Sequence, residues 1–159
     1  AIANPVDGMN SLVASESGQL SISYDSIRSG GHDCVGNPAV GVITNIYRVE
    51  IDEDGVYVLK CNRKPLMYGV DGFQILFGIN QDGGNVPTTY VPPGSQAASD
   101  RIVTVKIAML VSTKEEVGVH VAHSYQLLDV NTGPLADGKG RTLFTTTERI
   151  RNNNLDVVL

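Results

Sequence analysis

The chain has 159 residues, of which 42% are hydrophobic and 18% charged, which is typical of a globular protein rather than a disordered one. Its 17 acidic residues outnumber the 12 basic ones, and a net charge of −5 argues against binding to nucleic acid or to an anionic membrane surface. The longest apolar run, residues 107–111, is far shorter than the ~20 residues that span a bilayer.

The first predicted elements are an irregular segment and an alternating strand. Residues 1–18 show no clear period and predict an irregular lead-in, with room for a helical turn near residues 11–16. Residues 19–26 predict a strand, because Leu20, Ile22 and Tyr24 lie on one face and small polar residues on the other. A glycine-rich loop over residues 28–40 follows.

Residues 41–53 and 55–62 carry the strongest hairpin signal. An Asp54-Gly55 pair lies between them, and this pair suits the positive φ angles of a tight hairpin turn. On the first strand, Asn45 shares a face with large apolar side chains, namely Ile43, Tyr47, Val49 and Ile51. Residues 69–72 then predict a turn that leads into the next strand.

Residues 73–79 and 102–111 give the two clearest single-strand signals, and a loop rich in glycine, proline and asparagine separates them. Residues 102–111 also fit a helical period in part, but their β-branched content favours a strand. In both segments the odd positions are apolar and predict core strands: Phe73, Ile75, Phe77, Ile79, Val103, Val105, Ile107, Met109 and Val111.

The last third of the chain predicts less regular structure. A weak strand over residues 117–128 and a loop over residues 131–139 precede a threonine-rich strand at residues 141–151. Residues 152–159 have no period and are a candidate disordered tail. Six or seven strands joined mostly by hairpins, with no convincing helix, predict a mainly β fold in one domain over residues 1–159, built as an antiparallel sheet.

Several segments, in this order, give the chain a family resemblance. They are YGVDGFQILFGIN at residues 68–80, a Gly/Asp loop ending in YV at residues 90–91, ASDRIVTVKIAMLV at residues 98–111 and LFTTTERIRN at residues 143–152. SISYDS, DCVGN, VITNIYRV and VLKCN extend the likeness towards the start. Together these segments resemble the PilW family of type IV minor pilins.

The resemblance implies a structural role and not an enzyme. Minor pilins enter a fibre through a long apolar N-terminal helix and dock their β-rich heads on neighbouring heads, so the full-length fold would be α+β. We therefore expect the chain to be the soluble head of a PilW-like minor pilin, cut from its leader and helix, that helps to prime and cap assembly of a type IV pilus. Its head would lie in the periplasm, anchored at the inner membrane, and later in the extracellular pilus.

The resemblance also implies the partners and a disulfide. The partners would be other minor pilins, the major pilin and a tip adhesin, without nucleic acid, and the missing helix would be the one contact with membrane. In the periplasm Cys34, in a predicted loop, and Cys61, at the end of a predicted strand, would form a disulfide that pins the loop to the sheet. In a cytosolic protein the same two residues would be buried thiols.

The sequence predicts no catalytic, cofactor or metal site. His120 and His123 are two possible ligands, but on a strand their spacing sends them to opposite faces, so we expect surface histidines. Some PilW-like proteins carry a calcium-like Asp-x-Asp-x-Asp-Gly pattern at the position of residues 80–85. Asp82 is the one carboxylate there in this chain, which favours a plain hairpin loop.

Two other functions remain open at this point. A type II secretion pseudopilin would share the fold and the anchor but serve export. A secreted β-sandwich that binds a ligand, or an adhesin module, is a possibility of another class, although sugar sites usually use aromatic rings and this chain has no Trp and nine Tyr and Phe (6 and 3).

The apolar faces of the core strands need a cover. No segment has a 3.6-residue apolar stripe that could supply it. Each large side chain left in water forfeits roughly 1.5–3 kcal/mol of burial. Either two sheets of this chain face each other, or a helix from an upstream segment or a neighbouring subunit covers the face, and we favour the second.

Overall fold

The computed structural model describes residues 11–13, 19–26, 30–118 and 120–150, and its regular elements are eleven β-strands. Across these residues we find no α-helix, and hence none with the length and hydropathy needed to cross a membrane. The mainly β prediction is confirmed. The strands are β1 (Ser11–Val13), β2 (Gln19–Asp25), β3 (Val42–Ile51), β4 (Tyr57–Cys61), β5 (Lys64–Tyr68), β6 (Val70–Asn80), β7 (Thr89–Val91), β8 (Arg101–Glu116), β9 (His123–Leu127), β10 (Val130–Leu135) and β11 (Lys139–Arg149).

The strands form three sheets in which every pair is antiparallel. A five-stranded sheet has the order β1-β2-β3-β4-β5, so each strand pairs with its neighbour in sequence. A four-stranded sheet has the order β11-β8-β6-β7, and β9 and β10 form a separate hairpin. In the four-stranded sheet β8 and β6 are central, while β11 and β7 are the edges.

The register of β6 and β8 places the predicted core residues on one face. Ile75 lies opposite Ile107, and Phe77 lies opposite Val105. The register shifts between Gly78 and Ile79, so that Ile79 faces Ile102. One extra residue of β8 is accommodated at this bulge.

The five-stranded sheet covers part of this face, which is the first of the two arrangements that the sequence left open. Leu20 of β2 belongs to one buried cluster with Ile75 and Phe77, and Ile22 and Tyr47 pack against the cluster. Burial of large side chains between two facing sheets supplies the apolar contact that a helix would otherwise provide. Of the predicted core residues, Ile75, Phe77, Ile79, Val103 and Val105 are buried, whereas Phe73, Ile107, Met109 and Val111 are half-buried.

The β9–β10 hairpin covers part of the opposite face. Ala108 and Leu110 of β8 form a second buried cluster with Leu127 of β9. The hairpin lies so close to β6 that a Cβ at Gly72 would stand 2.6 Å from Leu127 Cδ2. A side chain at position 72 would therefore push the hairpin away from the sheet.

Several strands differ from the sequence prediction. β1 lies in the segment predicted to be irregular, β7 lies in a predicted loop, and β10 occupies most of the predicted loop at residues 131–139. β5 lies in a segment that had no assigned element, and β6 begins inside the turn predicted at residues 69–72. β8 also runs on to Glu116, through a polar stretch that had no strand signal. The predicted tail at residues 152–159 lies outside the described residues.

Candidate functional site

His120 and His123 both lie on the surface of the molecule. His120 Nδ1 lies 3.1 Å from the Ala136 carbonyl oxygen, and its Nε2 lies 3.2 Å from a Glu116 carboxylate oxygen. The side chains of His120, His123 and Glu116 are exposed. Within the described ranges no group of three or more histidine, cysteine, aspartate or glutamate side chains is placed to hold a metal ion.

The loop between β6 and β7 is organised by an asparagine. Asn80 is buried, its side-chain amide donates to the Val86 carbonyl at 2.6 Å, and its side-chain oxygen accepts from the Asp82 N–H at 3.0 Å. These bonds fix both sides of the loop from the end of β6. These hydrogen bonds are typical of a loop that connects two strands.

A disulfide and a buried asparagine fix the loop at residues 30–41 to the five-stranded sheet. The structure joins Cys34 to Cys61 over a sequence separation of 27 residues. Asn45 of β3, which is buried, accepts from the Cys34 N–H at 3.1 Å and donates to Tyr24 Oη at 2.8 Å. Because a buried amide needs such partners, Asn45 and the disulfide hold this loop in one position on the sheet.

Arg141 ties the start of β11 to β6. Its guanidinium binds both carboxylate oxygens of Asp137 and one of Asp71, each at 2.6 Å, and its side chain is 4% exposed. Ser112 Oγ donates to the other Asp71 oxygen at 3.1 Å. Hydrogen bonding from Arg141 holds the pKa of Asp137 well below its usual range, and the same bonds raise the pKa of Arg141. This cluster was not predicted from the sequence, although Asp137 and Arg141 are four residues apart and flank a Gly-Lys-Gly turn.

A small groove lies beside β11 on the face that carries the β9–β10 hairpin. It has a volume of about 280 Å³ and is lined by Lys106, Leu128 and residues 145–147. The Lys106 ammonium stands 3.7 Å from the centre of the Tyr90 ring, a cation–π contact. The groove is slightly below the usual size of small-molecule sites, and three of its five lining residues are threonines.

The clearest exposed feature of the four-stranded sheet is β11. Residues 142–149 are all exposed, so this edge strand is covered on neither face. Leu143 and Phe144 are 38% and 55% exposed. We call residues 142–149 and their outward backbone the β11 edge.

The five-stranded sheet has a second exposed apolar edge at β5. Every residue of β5 is exposed, and Leu66, Met67 and Tyr68 are the large side chains there. Exposed apolar groups concentrated at sheet edges are typical of surfaces that contact other proteins. In the described part of the chain, the exposed apolar side chains of β5 and β11 are therefore candidate docking surfaces.

Comparison with known proteins gives one positive result. The model of a family described as type IV pilus-assembly protein W matches residues 34–152. No curated protein and no solved structure matches the chain. The match begins at the first cysteine of the disulfide and continues past β11, so it includes β3 to β11.

Proposed function

The chain belongs to the PilW family of type IV pilus-assembly proteins, and from this premise we propose that it is a structural minor pilin that helps to prime and cap assembly of the pilus. The family is one of pilus assembly and not of enzymes. The observation that carries the proposal is the family match, which extends over 34–152 of the 159 residues.

The surfaces of the molecule support a role that works through protein contacts. Two edge strands, β5 along its whole length and β11 over residues 142–149, are exposed and carry large apolar side chains. The residues that are tightly fixed, such as Asn45 and Arg141, bind other parts of the same chain. A subunit whose rigid head docks on its neighbours needs both of these features, which are side chains that fix the head internally and exposed strands that partners can contact.

The proposed partners are the other minor pilins, the major pilin and a tip adhesin. The proposed location is the inner membrane, with the head in the periplasm before assembly, and then the extracellular pilus. A cofactor has no part in this role, because docking of heads depends on shape and on backbone and side-chain contacts.

The test expresses the protein at its native level in its own bacterium, with a photo-crosslinking amino acid in place of Phe144 or Tyr68. Both positions are exposed apolar residues on edge strands. Mass spectrometry should find crosslinks to minor pilins or to the major pilin. Asp54, in the exposed turn between β3 and β4 and on neither edge strand, is the matched control and should give far fewer. Crosslinks to secretion-system pseudopilins, with none to pilus subunits, would contradict the proposal.

A further inference from the structure

The β11 edge has unpaired backbone groups that alternate along the strand. The Ile150 N–H donates to the Val103 carbonyl at 2.9 Å, which continues the register in which Arg149 faces Thr104. In an antiparallel pair, alternate residues direct both backbone groups to the same neighbour. The even-numbered residues of β11 therefore bond to β8, and the backbones of Leu143, Thr145 and Thr147 point outward.

The middle of this edge, residues 142–147, lacks the devices that usually prevent strands from pairing. Natural edges are short, or carry proline or lysine, or are covered by another element. β7 has three residues, and β5 contains Lys64 and Pro65. Residues 142–147, by contrast, have the sequence TLFTTT, with neither charge nor proline, and are exposed throughout.

We propose that two copies of this chain pair through the β11 edge, antiparallel and about a two-fold axis at Phe144. Phe144 is the midpoint of β11. A two-fold axis at this residue therefore pairs the whole strand, Lys139–Arg149, with the same strand of the other copy. Leu143 then faces Thr145 of the other copy, and both have outward backbone groups that complete a hydrogen-bonded pair. The two four-stranded sheets become one continuous sheet.

Charge and space both fit a second copy. In this register Glu148 faces Gly140 and Arg141 faces Thr147, and Arg141 is already neutralised by two carboxylates. The like-charged pair of Arg149 and Lys139 falls at the outer ends. Residues 142–149 are exposed, and Leu128 in the turn of the β9–β10 hairpin approaches them only beside residues 145–147, so a second strand can reach the outward backbone of β11. Phe144 lies against Phe144 of the other copy, which shields a ring that is 55% exposed in the single chain.

The inference does not depend on the proposed pilus function, and the two can fail separately. The experiment is sedimentation equilibrium of the 159-residue chain over a concentration series up to submillimolar. The weight-average mass should rise from 17.0 kDa towards twice that value. A mass that stays at 17.0 kDa at every concentration would overturn the proposal, whether or not another protein binds the edge.

Charge variants at Phe144 locate the contact. Phe144→Lys should abolish the rise in mass, because it sets two ammonium groups side by side at the axis. The matched control is Thr89→Lys on β7, the other edge of the same sheet, which should dimerise like the parent. An equal mixture of Phe144→Lys and Phe144→Glu chains should recover the dimer, a result that a folding defect could not produce. Dimerisation unchanged in Phe144→Lys, or not recovered in the mixture, would place the contact elsewhere and refute the assignment.

Discussion

The Cys34–Cys61 disulfide closes a long loop of the chain and should stabilise the fold mainly by restricting the unfolded state. For a loop of this length the chain-entropy model gives about 3.5 kcal/mol. Changing both residues to alanine should lower the free energy of unfolding in urea by about that amount. Reduction of the parent with dithiothreitol should have a similar effect. Dithiothreitol should not change the double variant, which is the control, and a parent with the same urea midpoint before and after reduction would contradict the prediction.

Asp137 should make stability depend on acid pH. Hydrogen bonding to Arg141 lowers its pKa in the folded state below the ordinary value of 3.8, so its carboxylate favours the fold while it is ionised. This contribution is complete above pH values near the unfolded pKa and is lost as the pH falls from there through the lower folded pKa. Asp33 and Glu50 also have lowered pKa values and add to the same trend.

The measurement is urea unfolding of the parent and of Asp137→Asn between neutral pH and pH 2. The variant should be less stable than the parent at neutral pH, and the difference should shrink as the pH falls below about 4. Glu53→Gln, in the exposed turn after β3, removes one negative charge without touching Arg141 and is the control. A stability difference that is the same at every pH would contradict the role given to Asp137.

The junction of β6, β7 and β8 depends on a glycine. A Cβ at Gly78 would lie 2.0 Å from Thr104 Oγ1 and 2.9 Å from both Pro87 Cβ and Tyr90 Cε1. Gly78→Ala should therefore cost about 1–3 kcal/mol of stability, since a packed site has to open. Gly84→Ala in the adjacent loop is the matched control, because its Cβ would meet nothing closer than 3.4 Å. Equal melting temperatures for the two variants would show that the contacts around Gly78 are less tightly packed than these distances indicate.

Strands with clear alternation could be predicted from the sequence, and the reason is physical. β2, β3, β6 and the first part of β8 each bury one face, so their apolar residues recur every second position. The β3–β4 hairpin was also predicted, because Gly55 supplies a positive φ of 76° at its turn.

Strands with few buried side chains do not show this alternation of apolar and polar residues. β5 has all of its residues exposed and follows a turn in which Asn62 and Arg63 adopt positive φ angles of 48° and 69°. An arginine in this conformation is uncommon, so the tight turn was not recognised. β10 was read as a loop for a similar reason, because Leu128 has a φ of 55° in the preceding turn and Gly133-Pro134 interrupts the strand.

The ion-pair cluster of Arg141 could not be predicted either. Asp71 lies 70 residues from Arg141 in sequence, and the two meet only because β6, β8 and β11 are neighbours in one sheet. The disulfide was easier to foresee, since the chain has two cysteines and the family resemblance implied an oxidising compartment.

At the scale of the whole molecule, the apolar core lies between two sheets. A substitution in β2 tests how much the five-stranded sheet contributes to this core. Leu20 of β2 is buried against Ile75 and Phe77, so Leu20→Ala should cost about 2–5 kcal/mol. Val42→Ala, at a 57% exposed position of the same sheet, should change stability by about 0.5 kcal/mol or less. If the two variants were equally stable, the face of β6 and β8 would need a cover from elsewhere.

The PilW family is one of type IV pilus assembly, and we propose that this member of it works as a subunit in that assembly. The most direct measurement is the amount of pili sheared from the surface of its own bacterium, with and without the gene. We predict that deletion sharply reduces surface pili and that the protein supplied in trans restores them. We also predict that secretion of exported proteins stays unchanged. Normal piliation in the deletion strain, or a loss of secretion with pili intact, would contradict the claim.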